Sequence, residues 1–141
     1  MSRDVAELPL YERLYVDDAW RVSHGWSSLP GWLVVSARRH VLGAGELTRE
    51  EAASLGLLLR TCSSALVDAV GAERTYVMLF SEHPVFHLHL HVVPRMSWFG
   101  DDERAERVFR FLNPPADELV PAAERERLAH EIGARVNAAL R

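Results

Sequence analysis

Residues 86–95 read FHLHLHVVPR, with His87, His89 and His91 at alternate positions and Leu88, Leu90 and Val92 interleaved. Strict alternation has the period of a β-strand, in which residues i, i+2 and i+4 face the same way. The segment therefore predicts a strand with one apolar face and one face carrying three imidazoles, spaced about 7 Å apart along the chain. Three of the seven histidines of the chain fall within these five residues. Neighbouring imidazoles disfavour one another's protonation, so a purely structural face gains nothing from three of them. The row reads as chemistry.

Two chemistries suit it. His-x-His on a strand can offer two imidazoles to one zinc ion, with a third ligand from elsewhere. Glu82 and His83 stand just upstream, although no carboxylate or cysteine sits at an obvious ligand spacing. Alternatively, an imidazole is a nucleophile near neutral pH, because its unperturbed pKa is about 6.5. A histidine that attacks phosphorus needs its second ring nitrogen held by an acceptor and charge-stabilising neighbours on the same face. His89, flanked on both sides, occupies that position.

The remaining pattern surrounds this strand with an α+β arrangement. Residues 14–24 and 31–36 read as two strands of a hairpin-like pair separated by the turn residues GWSSLPG. Thr48 and Glu51 form a capping-box pattern ahead of a helix over 48–70, whose apolar stripe includes Leu55, Leu58, Leu59, Cys62 and Leu66, with Gly71 as its stop. Residues 74–80 predict a strand that lies antiparallel to the histidine strand across a short linker. After an irregular stretch over 96–120, Leu128, Ile132, Val136 and Leu140 mark a terminal helix. Strands, a helix, strands and a tail helix indicate an antiparallel sheet rather than a doubly wound parallel one. One domain over 1–141 is expected, with a core at about 12–95 and a C-terminal extension over 96–141.

Charge and composition narrow the partners. A net charge of −4 argues against a broad nucleic-acid surface. All 16 basic residues are arginine, which pairs well with phosphate, and Arg38, Arg39 and Arg95 stand nearest the histidine and strand motifs. The single cysteine, Cys62, allows no intrachain disulfide and no cysteine-rich zinc module. The opening MSRDVAELPL carries no apolar leader core, and no segment reads as a membrane span, so a cytoplasmic protein without membrane contact is expected.

The run His87-Leu88-His89-Leu90-His91-Val92-Val93 followed by Pro94-Arg95 resembles the signature of the histidine triad (HIT) family. LPGWLVVSARRHV over 29–41 and ELTREEAASLGLLLR after it resemble the segments preceding that signature, so the likeness spans roughly residues 12–95. The resemblance implies a sheet of about five antiparallel strands with one long central helix and a C-terminal helix, and a homodimer whose sheets join. It also implies a nucleotide substrate and no metal or other cofactor. His89 would attack the α-phosphorus of a nucleoside phosphate derivative and form a nucleotidyl-histidine, with His87 and His91 orienting it and stabilising charge. Water or another acceptor would then release the nucleotide.

Two positions depart from the family pattern. Trp32 stands where a histidine commonly follows the proline-glycine, and it is read either as core packing or as a stacking surface for ligand. Before the triad, His83 and Pro84 replace a glutamine and a hydroxyl residue of a phosphate-binding loop; His83 is a candidate donor or general acid. By the same resemblance His24 falls near a ribose-binding position and His40 near a less constant histidine, while Arg95 would face phosphate, a partner subunit or a salt bridge. Trp98 and Phe99 in MSWFG are read as closing over a base or filling a dimer seam. Beside the hydrolase or transferase reading stand a non-catalytic nucleotide-binding module and a metal-dependent hydrolase that uses the histidines as ligands.

Overall fold

The computed structural model describes residues 4–80 and 87–141; Glu82, His83 and Pro84 fall outside them, so the expectation for His83 lies outside the described residues. Five strands form one antiparallel sheet: β1 (Tyr15–Val16), β2 (Trp20–His24), β3 (Leu33–Ala37), β4 (Arg74–Leu79) and β5 (His89–Arg95). Their spatial order is β1-β2-β3-β5-β4. The chain leaves β3 through helix α1 (Arg49–Val70), returns along the outer strand β4, and then inserts β5 between β4 and β3. The histidine strand thus runs through the interior of the sheet.

The expected single strand over 14–24 is itself a hairpin, β1 with β2. The Asp17 carboxylate accepts from the backbone N–H groups of Ala19 at 2.8 Å and Trp20 at 2.7 Å, and this local capping reverses the chain. β2 and β3 then pair as expected, with Trp20 opposite Ala37 and His24 opposite Leu33.

Alternation divides the sheet into two faces. On one, Val22, Leu33, Val35, Leu88, Leu90 and Val92 pack against Leu58, Cys62, Ala65 and Leu66 of α1 and against Leu128, Ile132 and Val136 of helix α2 (Ala122–Leu140). Both helices match the expected spans closely. The Thr48 hydroxyl accepts from the Glu51 N–H at 3.1 Å, the Glu51 carboxylate accepts from the Thr48 N–H at 2.8 Å, and Gly71 ends α1 at φ 72°. Burial pushes the Cys62 thiol up to about 12, as for an inert core thiol. Contrary to the sequence reading, α1 is long and apolar enough, by length and composition, to cross a membrane. Arg60 is its lone charge between Ala52 and Val67. One of its sides is nevertheless spent on the sheet and on α2.

On the opposite face a smaller cluster joins Leu29, Trp32 and Val93 to Phe99 and Val108 of the segment after β5. MSWFG therefore neither closes over the triad cavity nor forms part of its lining. Phe99 is buried in this second core, and Trp98 lies edge-on to it with ring centroids 4.9 Å apart. The irregular stretch contains a 3-10 helix, Ala105–Phe111, that packs Phe109 edge-on against Trp32 and His91.

Candidate active site

The sheet register assembles the site floor. His89 lies opposite Ser36 on β3, and Ser36 lies opposite Arg21 on β2; the neighbouring row runs His91, Val34, Ser23. Paired residues in an antiparallel ladder share a face, so both rows look away from the helices. These six side chains floor a cavity of about 480 Å³, within the size range of small-molecule sites. Tyr11, Glu12, Trp26, Phe80, Leu112 and Asn113 wall it, and His87 lines it just ahead of β5.

The three triad imidazoles are held by different partners. His89 Nδ1 donates to the His87 backbone oxygen at 2.7 Å. With the proton fixed on Nδ1, the lone pair of this half-buried ring resides on Nε2. His87 Nε2 donates to the Ala37 carbonyl, and its Nδ1 lies 3.3 Å from Nδ1 of His40, whose ring stacks on it at 5.3 Å. His91 is 7% exposed and accepts, at Nδ1, the indole N–H of Trp32 at 2.9 Å. Its ring meets Trp32 and Phe109 edge-on at 5.5 and 5.3 Å. Burial, reinforced by His89 beside it, lowers His91 to about 4, so it is neutral at physiological pH.

Other expected ligand residues have different employment. Trp32 is fully buried in the second core and is not among the residues that line the cavity. His24 falls in register with Leu33 at the end of β2 and borders the cavity. Its Nδ1 donates to the Gly25 oxygen at 2.8 Å and its Nε2 accepts from the Gly31 N–H at 2.9 Å, leaving no ring nitrogen for a ribose. Burial lowers its pKa to about 4, and Arg125 nearby acts in the same direction. Arg95 pairs with Glu73. Arg38 donates to the Asp17 oxygen at 2.9 Å, and Arg39 binds Glu51 at 2.9 Å beside the start of α1. None of the three arginines lines the cavity, and His40 reaches it only through His87.

Residues not singled out from the sequence complete the site. Arg21 is the single arginine among the cavity-lining residues; it donates to the Glu12 oxygen and lies two strands from His89. At the far wall, Arg125 of α2 is buried between the rings of Tyr11 and Trp26, at 4.3 and 4.4 Å from their centroids. The C-terminal helix thereby shapes the cavity. Alternation along WRVSH was the available signal for Arg21; a contact between α2 and residues 11 and 26 left none. Among the described residues, no group of three His, Cys, Asp or Glu side chains is placed to hold a metal ion.

An antiparallel five-stranded sheet with alternate histidines on its open face and two helices behind it defines a histidine triad fold. Solved structures agree with the resemblance seen in the sequence. A Hit-like protein involved in cell-cycle regulation from Bartonella henselae is 24% identical with a TM-score of 0.70, over 92% of this chain and 89% of that one. A hypothetical histidine triad nucleotide-binding protein from Sulfolobus tokodaii is 19% identical with a TM-score of 0.65, over 91% and 84%. A zinc-bound histidine triad family protein from Mycobacterium smegmatis is 19% identical with a TM-score of 0.63, over 89% and 84%. No protein-family model and no curated protein matches the sequence.

Proposed function

We propose that this protein is a cytoplasmic nucleotide hydrolase or nucleotidyl transferase of the histidine triad family, with His89 as its nucleophile. The observation that carries the reading is the bond from His89 Nδ1–H to the His87 carbonyl, which leaves the Nε2 lone pair for attack on a ligand in the cavity. The Nε2 pair forms a bond to the α-phosphorus while the bond to the leaving group breaks, and that group departs with its electron pair and takes a proton. As His89 gains positive character, the His87 carbonyl stabilises it through the same bond. Water or another acceptor then attacks phosphorus, gives up its proton, and returns the electron pair to Nε2. His91, neutral and protonated at Nε2, supplies a donor for a phosphoryl oxygen. Arg21 serves as the cation for an anionic part of the substrate.

The Sulfolobus tokodaii neighbour is described as a hypothetical nucleotide-binding protein, which is in keeping with a nucleoside phosphate derivative as the substrate class. A homodimer is supported by the outer strand β4. Val77 and Leu79 there are exposed on the side facing α1, which itself exposes Leu57 and Val67. An apolar sheet edge beside an apolar helix face is a surface that a second copy can cover. Sedimentation of the purified chain tests this: a dimer is expected, and a monomer at micromolar concentration contradicts it.

The activity is tested with adenosine 5′-phosphoramidate as substrate. Wild type is expected to release AMP and His89→Ala to release none. Tight nucleotide binding with no AMP from wild type would make the protein a binding module instead.

A further inference from the structure

We infer that Trp32 is a positioning residue that locks His91 in one tautomer, with Nδ1 as acceptor and Nε2–H as a permanent donor into the site. The inference rests on the proposed reaction for its meaning, but its structural half stands alone. The indole N–H is a donor with no lone pair to offer and no accessible ionisation, so the 2.9 Å bond runs in one direction only. A histidine at this position would present either a donor or an acceptor and would titrate. Trp32 replaces that variable partner with a fixed one.

The surroundings preserve the arrangement. Trp32 is completely buried, and its ring and that of His91 are both capped edge-on by Phe109, at 5.7 and 5.3 Å. Val34 and Met78 flank His91 on the adjacent strands, and beside burial the charge effect on its ring comes from His89, which disfavours its protonation. Gly25 supplies the room: a Cβ there would lie 2.7 Å from Trp32 Cδ1. Its lack of a side chain is thus required by the indole. The consequence is division of labour. His89 carries the lone pair and His91 holds its proton, so His91 adds no ionisation to the turnover profile above about pH 5.

The test is the ¹⁵N–¹H spectrum of the histidine side chains, recorded without substrate from pH 5 to 8, beside kcat and KM for the phosphoramidate. Wild-type His91 is expected as the pure Nε2–H tautomer throughout. Trp32→Phe keeps an aromatic ring but removes the donor; His91 should then exchange between tautomers, and kcat should fall about tenfold or more with KM nearly unchanged, as for loss of one buried partner. Gly25→Ala keeps the indole but displaces it, and should give the same spectral change if Trp32→Phe fails to fold. Trp32→His, which can present either a donor or an acceptor, should recover the Nε2–H tautomer only in part and make its population depend on pH. A pure, unchanged His91 tautomer in Trp32→Phe, or in Gly25→Ala, would overturn the inference. Absence of turnover in wild type would overturn the proposed reaction while leaving the spectrum to decide the tautomer.

Discussion

Nδ1 of His89 lies 2.7 Å from the backbone oxygen of His87, two residues earlier in the same chain. The acceptor is main chain, so no substitution of a side chain can supply or remove it. The first and second members of the triad are therefore linked through the main chain itself, at the start of β5. His89→Ala should leave the sheet intact, because the ring is only half-buried, while kcat falls by about 10³-fold or more, as for loss of a nucleophile. Circular dichroism and AMP release check the two halves together. Wild-type turnover in the variant would remove His89 from the mechanism.

Acid stability follows from two neutral imidazoles. His24 and His91 are each lowered to about 4 by burial, against about 6.5 in an unfolded chain. Between those values the unfolded state binds more protons, so stability is fully present above pH 6.5 and is lost as pH falls toward 4. At pH 5 each group accounts for about 2 kcal/mol of that loss. Urea midpoints at pH 7.5 and 5 should differ accordingly, and His91→Gln should shrink the difference. A flat profile would contradict both neutral assignments.

Arg21 offers a charge-assisted donor to an anionic ligand on the floor it shares with Ser36 and His89. Such bonds contribute about 1.5–3 kcal/mol, so Arg21→Ala should raise KM about tenfold with kcat little changed. Steady-state kinetics at two salt concentrations checks this, and the variant should also show the weaker salt dependence. Unaltered KM would place the anionic groups of the substrate elsewhere.

Docking of the C-terminal helix can be tested at Gly133. A Cβ there would lie 2.8 Å from the Leu14 backbone oxygen. Alanine in a helix interior gains about 1 kcal/mol over glycine, but overpacking against backbone costs about 1–3 kcal/mol. The clash should win, so Gly133→Ala is expected to lower the urea midpoint despite its better helix propensity. A higher midpoint would mean that α2 sits farther from Leu14 than described.

Much of this architecture was legible in the sequence because its signals are local. The triad strand announced itself by period two, α1 by the Thr48–Glu51 box, and its end by Gly71. What escaped notice depends on partners distant along the chain. Trp32 and His91 are 59 residues apart, and only the β3–β5 register makes the indole a donor to the triad. Arg39 stood next to His40 in sequence, yet Glu51 holds it; Arg21 stood in an ordinary strand, yet register carries it to the cavity floor. The reversal at Asp17 was hidden because one apolar strand and a tight two-strand hairpin share the same composition. Arg125 lay in a helix whose visible stripe was apolar, and its placement between Tyr11 and Trp26 is tertiary throughout.

The central claim is covalent catalysis at His89, and intact-protein mass spectrometry tests it most directly. Wild type and His89→Ala would be mixed briefly with adenosine 5′-phosphoramidate and quenched under conditions that spare an acid-labile phosphorus–nitrogen bond, with the modified peptide then mapped. The account predicts a gain of one adenylyl group in wild type, located on His89, and none in the variant. An adenylyl group on another residue, or an equal adduct in His89→Ala, would contradict it.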